Sequence, residues 1–300
     1  MKKTIHFSIP VLLVIFCFTV FCSQSNNSIF SKENITAWCI VPYDAKQRNP
    51  QERAKMLQRL GIKTLAYDWR DVNISEFDEE LIQLKKYGIK MTAFWWSGGI
   101  PVSENEMKTS ERMNMQLDFF KRNSLNLDVW ITLSEGNLQG ESDEVKYAQL
   151  ANRIDILAKE LKQSGSRLGV YNHGGAGGLP NNMVEVIKRL KSDNVGIVYN
   201  FHHAHEHLEM MPAAFNIMLP YLYCVNLNGM NKDGPKILPL GQGNEDVQIL
   251  KMISESGYNG PIGIIGHIED EDVEIVLKRN LEGLVILLKE IGDTKALKSY

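Results

Sequence analysis

Apolar and polar positions along this chain fall into a repeating order. Short runs that are apolar almost throughout alternate with longer segments whose apolar residues recur at helical spacing. The runs lie at 36–41, 64–69, 91–96, 129–133, 168–172, 195–199, 222–227 and 262–265. The periodic segments include 51–60, 78–87, 145–161, 183–190, 247–253 and 273–288. Gly61, Gly88 and Gly165 follow the first three, and glycine just past the last turn is a common helix stop. The stretch 103–126 is the least regular, yet it still carries a helical pattern. A strand without polar alternation is buried on both faces, as a parallel strand covered by helices must be. Eight such strand–helix units predict a closed (β/α)8 TIM barrel, one domain over residues 35–292.

In a barrel of this kind the chemistry sits where strands end and the following loops begin. Polar residues collect at those exits. They include Asp68 and Arg70 after the second run, Trp95 and Trp96 after the third, and Ser134 and Glu135 after the fourth. Tyr171, Asn172 and His173 follow the fifth; Asn200 to His207 the sixth; Asn226 and Asn228 the seventh; His267 and Glu269 the eighth. Four of the seven histidines, at 202, 203, 205 and 207, therefore fall in the sixth exit. Strand alternation would turn His202 away from the mouth if the strand continued, and His205 and His207 fall in the loop and helix start beyond it. The 231–245 loop has three glycines and carries Lys232 and Lys236, and it is long enough to act as a lid.

Three segments resemble the xylose isomerase-like TIM barrels, a family of sugar phosphate isomerases, epimerases and zinc-dependent abasic-site endonucleases. Residues 168–175 read LGVYNHGG, close to the family's fifth-strand GVENHGG. Residues 195–203 read VGIVYNFHH, close to its sixth-strand pattern of an acid followed three residues later by histidine, and 260–284 resembles its closing strand and helix. The resemblance implies a divalent metal held by Glu, Asp, His and Glu on strands five to eight. The matching positions here are Tyr171, Asn200, Asn226 and Gly266 or His267. Carboxylates supply the charge a hard cation needs, so this substitution removes the family's usual metal set. Three histidines from three exits, His173, His203 and His267, are the alternative ligands for one zinc or manganese ion.

The candidate catalytic residues are His203, which matches the family's retained histidine, with His173, His267 and Glu135. The candidate sugar contacts are the amides Asn172, Asn200, Asn226 and Asn228, the ring of Trp96 (or of Trp95), and Glu269. Each has a plainer alternative: core packing for the tryptophans, turn chemistry for the asparagines, helix-start charge for Glu269, and mutual pairing for Asp68 and Arg70. No nucleotide-cofactor motif is expected.

Composition narrows the partners. Lys2 and Lys3 precede an apolar stretch at 9–21, and the small Ser23 and Ser25 follow, which predicts a signal peptide over residues 1–25. Cys22 offers the alternative of a lipid-modified cysteine and a membrane anchor. Without the two leader lysines, 31 basic face 36 acidic side chains, a net charge near −5. That balance gives no basic footprint for nucleic acid. Cys39 and Cys224 lie within apolar runs and are expected as free thiols. The sequence thus points to an exported carbohydrate-active barrel, isomerase- or epimerase-like, that moves a proton next to a carbonyl. Isomerisation, epimerisation and β-elimination from a keto-glycoside all fit. The competing expectation is a sugar-binding barrel without catalysis.

Overall fold

The computed structural model describes residues 28–300. The expected leader, with Cys22, lies outside them. Eight parallel strands close on themselves in chain order: β1 (Ile35–Trp38), β2 (Thr64–Tyr67), β3 (Lys90–Trp95), β4 (Asp128–Thr132), β5 (Arg167–Tyr171), β6 (Val195–Asn200), β7 (Leu222–Leu227) and β8 (Ile262–Ile265). Closure is made by β1 on β8, with Ile35 opposite Ile262 and Trp38 opposite Ile265. The fold is a single-domain (β/α)8 barrel.

Helices cover the outside: α1 (Pro50–Leu60), α2 (Phe77–Lys86), α3 (Glu104–Thr109), α4 (Glu111–Arg122), α5 (Asp143–Lys162), α6 (Pro180–Ile187), α7 (Met211–Met218), α8 (Asp246–Glu255), α9 (Val273–Ile291) and α10 (Thr294–Leu297). Local chemistry sets their ends. Asn49 and Glu52 form a reciprocal capping box ahead of Pro50, and α1 stops at Gly61 with φ of 71°. The irregular stretch 103–126 becomes two helices. Ser103 and Ser110 each accept a hydrogen bond from the backbone N–H three residues on, so each starts a helix.

The strands' alternation divides the core in two. Outward side chains pack against the helices as one large cluster. Inward ones, among them Trp38, Ala66, Ala93, Trp130, Tyr171, Val198, Cys224 and Ile265, fill the barrel. The inner filling is aromatic, and glycine makes room for it. A Cβ on Gly169 would sit 2.6 Å from a Val198 methyl and 3.1 Å from the Trp130 ring. Cys39 and Cys224 are free thiols.

Candidate active site

At the C-terminal mouth lies a cavity of about 130 Å³. Its floor is aromatic, from alternate strands. The Trp95 ring meets Tyr171 edge-on, with centroids 5.3 Å apart, and Trp38 stands 5.7 Å from both. The Tyr171 hydroxyl accepts from Trp38 Nε1 at 3.2 Å and from Asn200 Nδ2. Two donors occupy its oxygen, so its own proton remains free to donate. Burial raises the Tyr171 pKa well above its ordinary value, so that proton stays in place at neutral pH.

Four imidazoles form the wall. Ring centroids run His173 to His203 at 4.9 Å, His203 to His202 at 4.6 Å and His202 to His267 at 5.3 Å, and His267 lies against Tyr43 at 3.6 Å. Burial, reinforced by the Lys236 ammonium, lowers His202 to about 3 and His267 to about 4. Burial and then the neighbouring His202 lower His203 to about 3. His173, on the exposed rim, is lowered for the same first reason. The wall is therefore neutral at pH 7, and each ring offers one donor and one acceptor.

His202 faces this wall and does not turn away as expected: it is in phase with the inward Val198, and alternation would instead turn out His203, in phase with the outward Tyr199. The strand does not continue past Asn200. The chain turns into a 3-10 segment (Phe201–His203), and the Asn200 side chain accepts the His202 N–H at 3.1 Å to start it. Two adjacent histidines thereby reach one pocket. His205 and His207 border a wider outer groove of about 860 Å³, which shares His202, His203 and Lys236 with the pocket.

Asp68 is the one carboxyl in the lining. It is 2% exposed, and its Oδ1 accepts from the backbone N–H groups of Ile40 (3.3 Å) and Val41 (3.2 Å). Its Oδ2 is buried with no hydrogen-bond partner. Burial pushes the carboxyl up to about 6, against the opposing pull of Arg70. Arg70 does not pair with that carboxylate. Its Nη1 donates instead to the backbone oxygens of Asp68 (2.8 Å) and Trp69 (2.9 Å). Alternation could have found Asp68, since it is in phase with the inward Ala66.

Of the expected residues, the structure brings His173, His203, His267 and Asn200 to the pocket and leaves the others outside it. Asn172 is in phase with the outward Val170, and both ends of its amide bind the Asn200 backbone, at 2.7 and 3.0 Å. Trp96 packs in the outer core and donates to Gly99 O, so Trp95 takes the pocket position. Asn226 points inward but lies fully buried beneath the mouth, where Gly263 leaves room for it. Asn228 donates to Gly229 O. Glu135 turns to Lys146 on α5, with N and O 3.5 Å apart. Glu269 is exposed, away from the lining.

The residues do not fit the expected metal. Among the described residues, no three or more His, Cys, Asp or Glu side chains are placed to hold an ion. His202 stands between His203 and His267 and breaks up the three-histidine set. At the positions matching the family's carboxylates, Tyr171 and Asn200 are bonded to each other, neutral and fully buried. Such a pair supplies no charge to a divalent cation.

Residues 51–281 match the family model described as xylose isomerase-like TIM barrel. No curated protein matches the sequence. Among solved structures, the chain is similar to the apo form of 3-keto-D-glucoside 4-epimerase from E. coli, with a TM-score of 0.65 and 14% identity over 86% of this chain and 100% of that one. A xylose isomerase domain protein from Planctomyces limnophilus gives 0.63 and 15%, over 88% and 99%. A D-tagatose 3-epimerase-like protein gives 0.62 and 17%, over 86% and 98%.

Proposed function

The chain belongs to the xylose isomerase-like TIM barrel family, and from that premise we propose that its pocket binds a carbohydrate and moves a proton next to a carbonyl. The sugar epimerases among its structural neighbours support the substrate class. The observation that carries the reaction is a single buried carboxyl with a free oxygen, Asp68, beside a neutral hydrogen-bonding wall and an aromatic floor. A carboxyl tuned towards neutral pH suits general acid–base work.

In this reading Asp68 accepts the proton from the carbon beside the carbonyl. The C–H electron pair forms the new C=C bond, and the carbonyl oxygen takes the charge. Tyr171, whose proton is uncommitted, and a neutral His203 donate hydrogen bonds to that oxygen. The proton then returns from Asp68 to the same carbon, on the other face once the bound enolate has turned over, or to the former carbonyl carbon while the neighbouring hydroxyl proton passes to the oxyanion. On each route no net charge or electron is left over. His203 is a donor here rather than the base, because burial makes its ring a weak proton acceptor. Glu135 has no part, being held by Lys146. The leader-like residues 1–25 support export of this enzyme.

One observation favours the competing reading of a barrel that binds sugar without turnover: the neutral Tyr171–Asn200 pair at the family's metal positions. Deuterium exchange separates the two. Incubated in D2O with 3-keto-glucoside, D-tagatose or D-fructose, an enzyme of this kind incorporates deuterium at one carbon beside the carbonyl, visible by NMR even without net conversion. Saturable binding of these sugars with no exchange would establish the binding barrel instead.

A further inference from the structure

Two cations border the pocket from opposite sides of the chain: Arg70 from the β2 exit and Lys236 from the 231–245 loop. Among the described residues neither forms an ion pair, although most of the described arginines do, including Arg48, Arg59, Arg112 and Arg122. Arg70 is fixed without being neutralised. Two backbone carbonyls hold its Nη1, and its guanidinium lies 5.9 Å from the Tyr43 ring centre. Lys236 sits on an anchored loop. Its carbonyl oxygen contacts His205 Nε2 at 3.1 Å, while His205 Nδ1 contacts Asn231 O at 2.8 Å. The loop's far end is held by Asp246, which accepts from the N–H groups of Met230, Gly241 and Gly243. Both cations act on His267, the ring they share. The lining's one carboxyl, Asp68, is committed to backbone donors through Oδ1.

A wall of neutral rings does not require two unpaired positive charges at its edge; a negatively charged ligand does. We propose that the substrate is an acidic sugar, a carbohydrate whose carboxylate is held by Arg70 and Lys236. This rests on the sugar-binding reading above and narrows it. The planar guanidinium suits a two-oxygen grip on the anion, and the lysine adds a mobile point charge. Lys236 also borders the outer groove, so the charged group sits where pocket and groove meet. A glycoside of an acidic sugar could then run outward past His205 and His207.

Titration calorimetry at fixed ionic strength tests this with D-glucose, D-glucuronate, D-gluconate and glucose 6-phosphate as probes. The acid sugars should bind about tenfold or more tighter than glucose, the value of one good charge-assisted contact. Preference for glucuronate and gluconate supports the carboxylate; preference confined to glucose 6-phosphate overturns it. R70Q and K236Q should each collapse the ratio of acid to neutral affinity. K188Q, at a surface lysine paired with Glu185, should leave the ratio unchanged. Thermal unfolding of each variant checks that it is folded. Equal affinities for glucose and its acids overturn the anionic substrate and leave the carbohydrate reading standing. An acid preference that survives both substitutions also overturns it, and no binding of any sugar overturns both readings.

Discussion

Glu80 and Asp68 are two buried carboxyls one helix apart, and they have opposite surroundings. Glu80, fully buried on α2, takes three hydrogen bonds of 3.0–3.2 Å from Arg53 on α1, itself 2% exposed. Asp68 is as deeply buried, but no cation meets its carboxylate and one oxygen has no partner. Burial pushes both upward, against the charge of Arg53 at Glu80 and of the unbonded Arg70 at Asp68. Burial and a shifted pKa therefore do not distinguish a structural carboxyl from a working one. What distinguishes them is completeness. A satisfied pair between two helices holds a fold together, whereas an unsatisfied oxygen at a pocket wall is left for a ligand.

The comparison breaks first at Glu80. Glu80→Ala leaves the Arg53 guanidinium buried and unpaired, which costs about 3–5 kcal/mol. Urea unfolding should show that loss. A loss under about 1 kcal/mol would mean the pair is solvated and the contrast with Asp68 is unfounded.

At Asp68 the expected damage falls on rate rather than stability. Asp68→Asn keeps the shape and should slow the carbon-bound deuterium exchange by roughly 10²–10⁴-fold, the usual contribution of a positioned acid or base. Exchange at the wild-type rate removes Asp68 from the mechanism. The same variant sharpens the contrast through pH. With its pKa raised to about 6 from 3.8, Asp68 binds a proton more tightly in the folded than in the unfolded state. Its contribution to stability is present below pH 4 and is lost as pH rises to 6. The asparagine variant escapes that loss. It should gain stability over wild type across this window and keep the gain above it. His202, His203 and His267 act in the opposite sense. Their lowered values cost stability as pH falls from 6.5 towards 3, equally in both proteins, so the difference between the two curves isolates Asp68.

Glu135 gives the smallest effect. Its contact with Lys146 is partly exposed, and such pairs contribute under about 1 kcal/mol. Glu135→Gln should unfold nearly where the wild type does and exchange deuterium at the wild-type rate. A large rate loss would return Glu135 to the site.

Much of this arrangement was legible along the chain, and the misses share a cause. The eight apolar runs predicted all eight strands, and reading polar residues at their exits located the mouth. Phase then decided who enters the barrel. Trp95 goes in with Ala93 while Trp96 goes out with Phe94, and Tyr171 goes in while Asn172 goes out. Counting each exit as a whole put Trp96 and Asn172 among the sugar contacts, although alternation argued for their neighbours. His202 was misplaced because its facing was counted from His203, which lies past the strand's end at Asn200 and out of phase with the inward Val198. Glu135 lies beyond its strand too, where no period fixes direction, and Lys146 on the next helix turned it aside.

Sequence by itself determined the barrel, its polar end and the facing of residues within strands, because those follow from a period of two carried by neighbouring residues. The tertiary structure alone decided which exits converge. The β1–β8 closure and the turn after Asn200 bring His173, His202, His203 and His267 into one wall and set Asp68 at the same pocket. It also decided that Asn200 and Trp38 both donate to the Tyr171 hydroxyl, where the family resemblance implied metal ligands at 171 and 200. The first joins neighbouring strands, and the second crosses the barrel between residues 133 apart in sequence. No local pattern encodes them, because they exist only once closure has fixed the distances across the barrel.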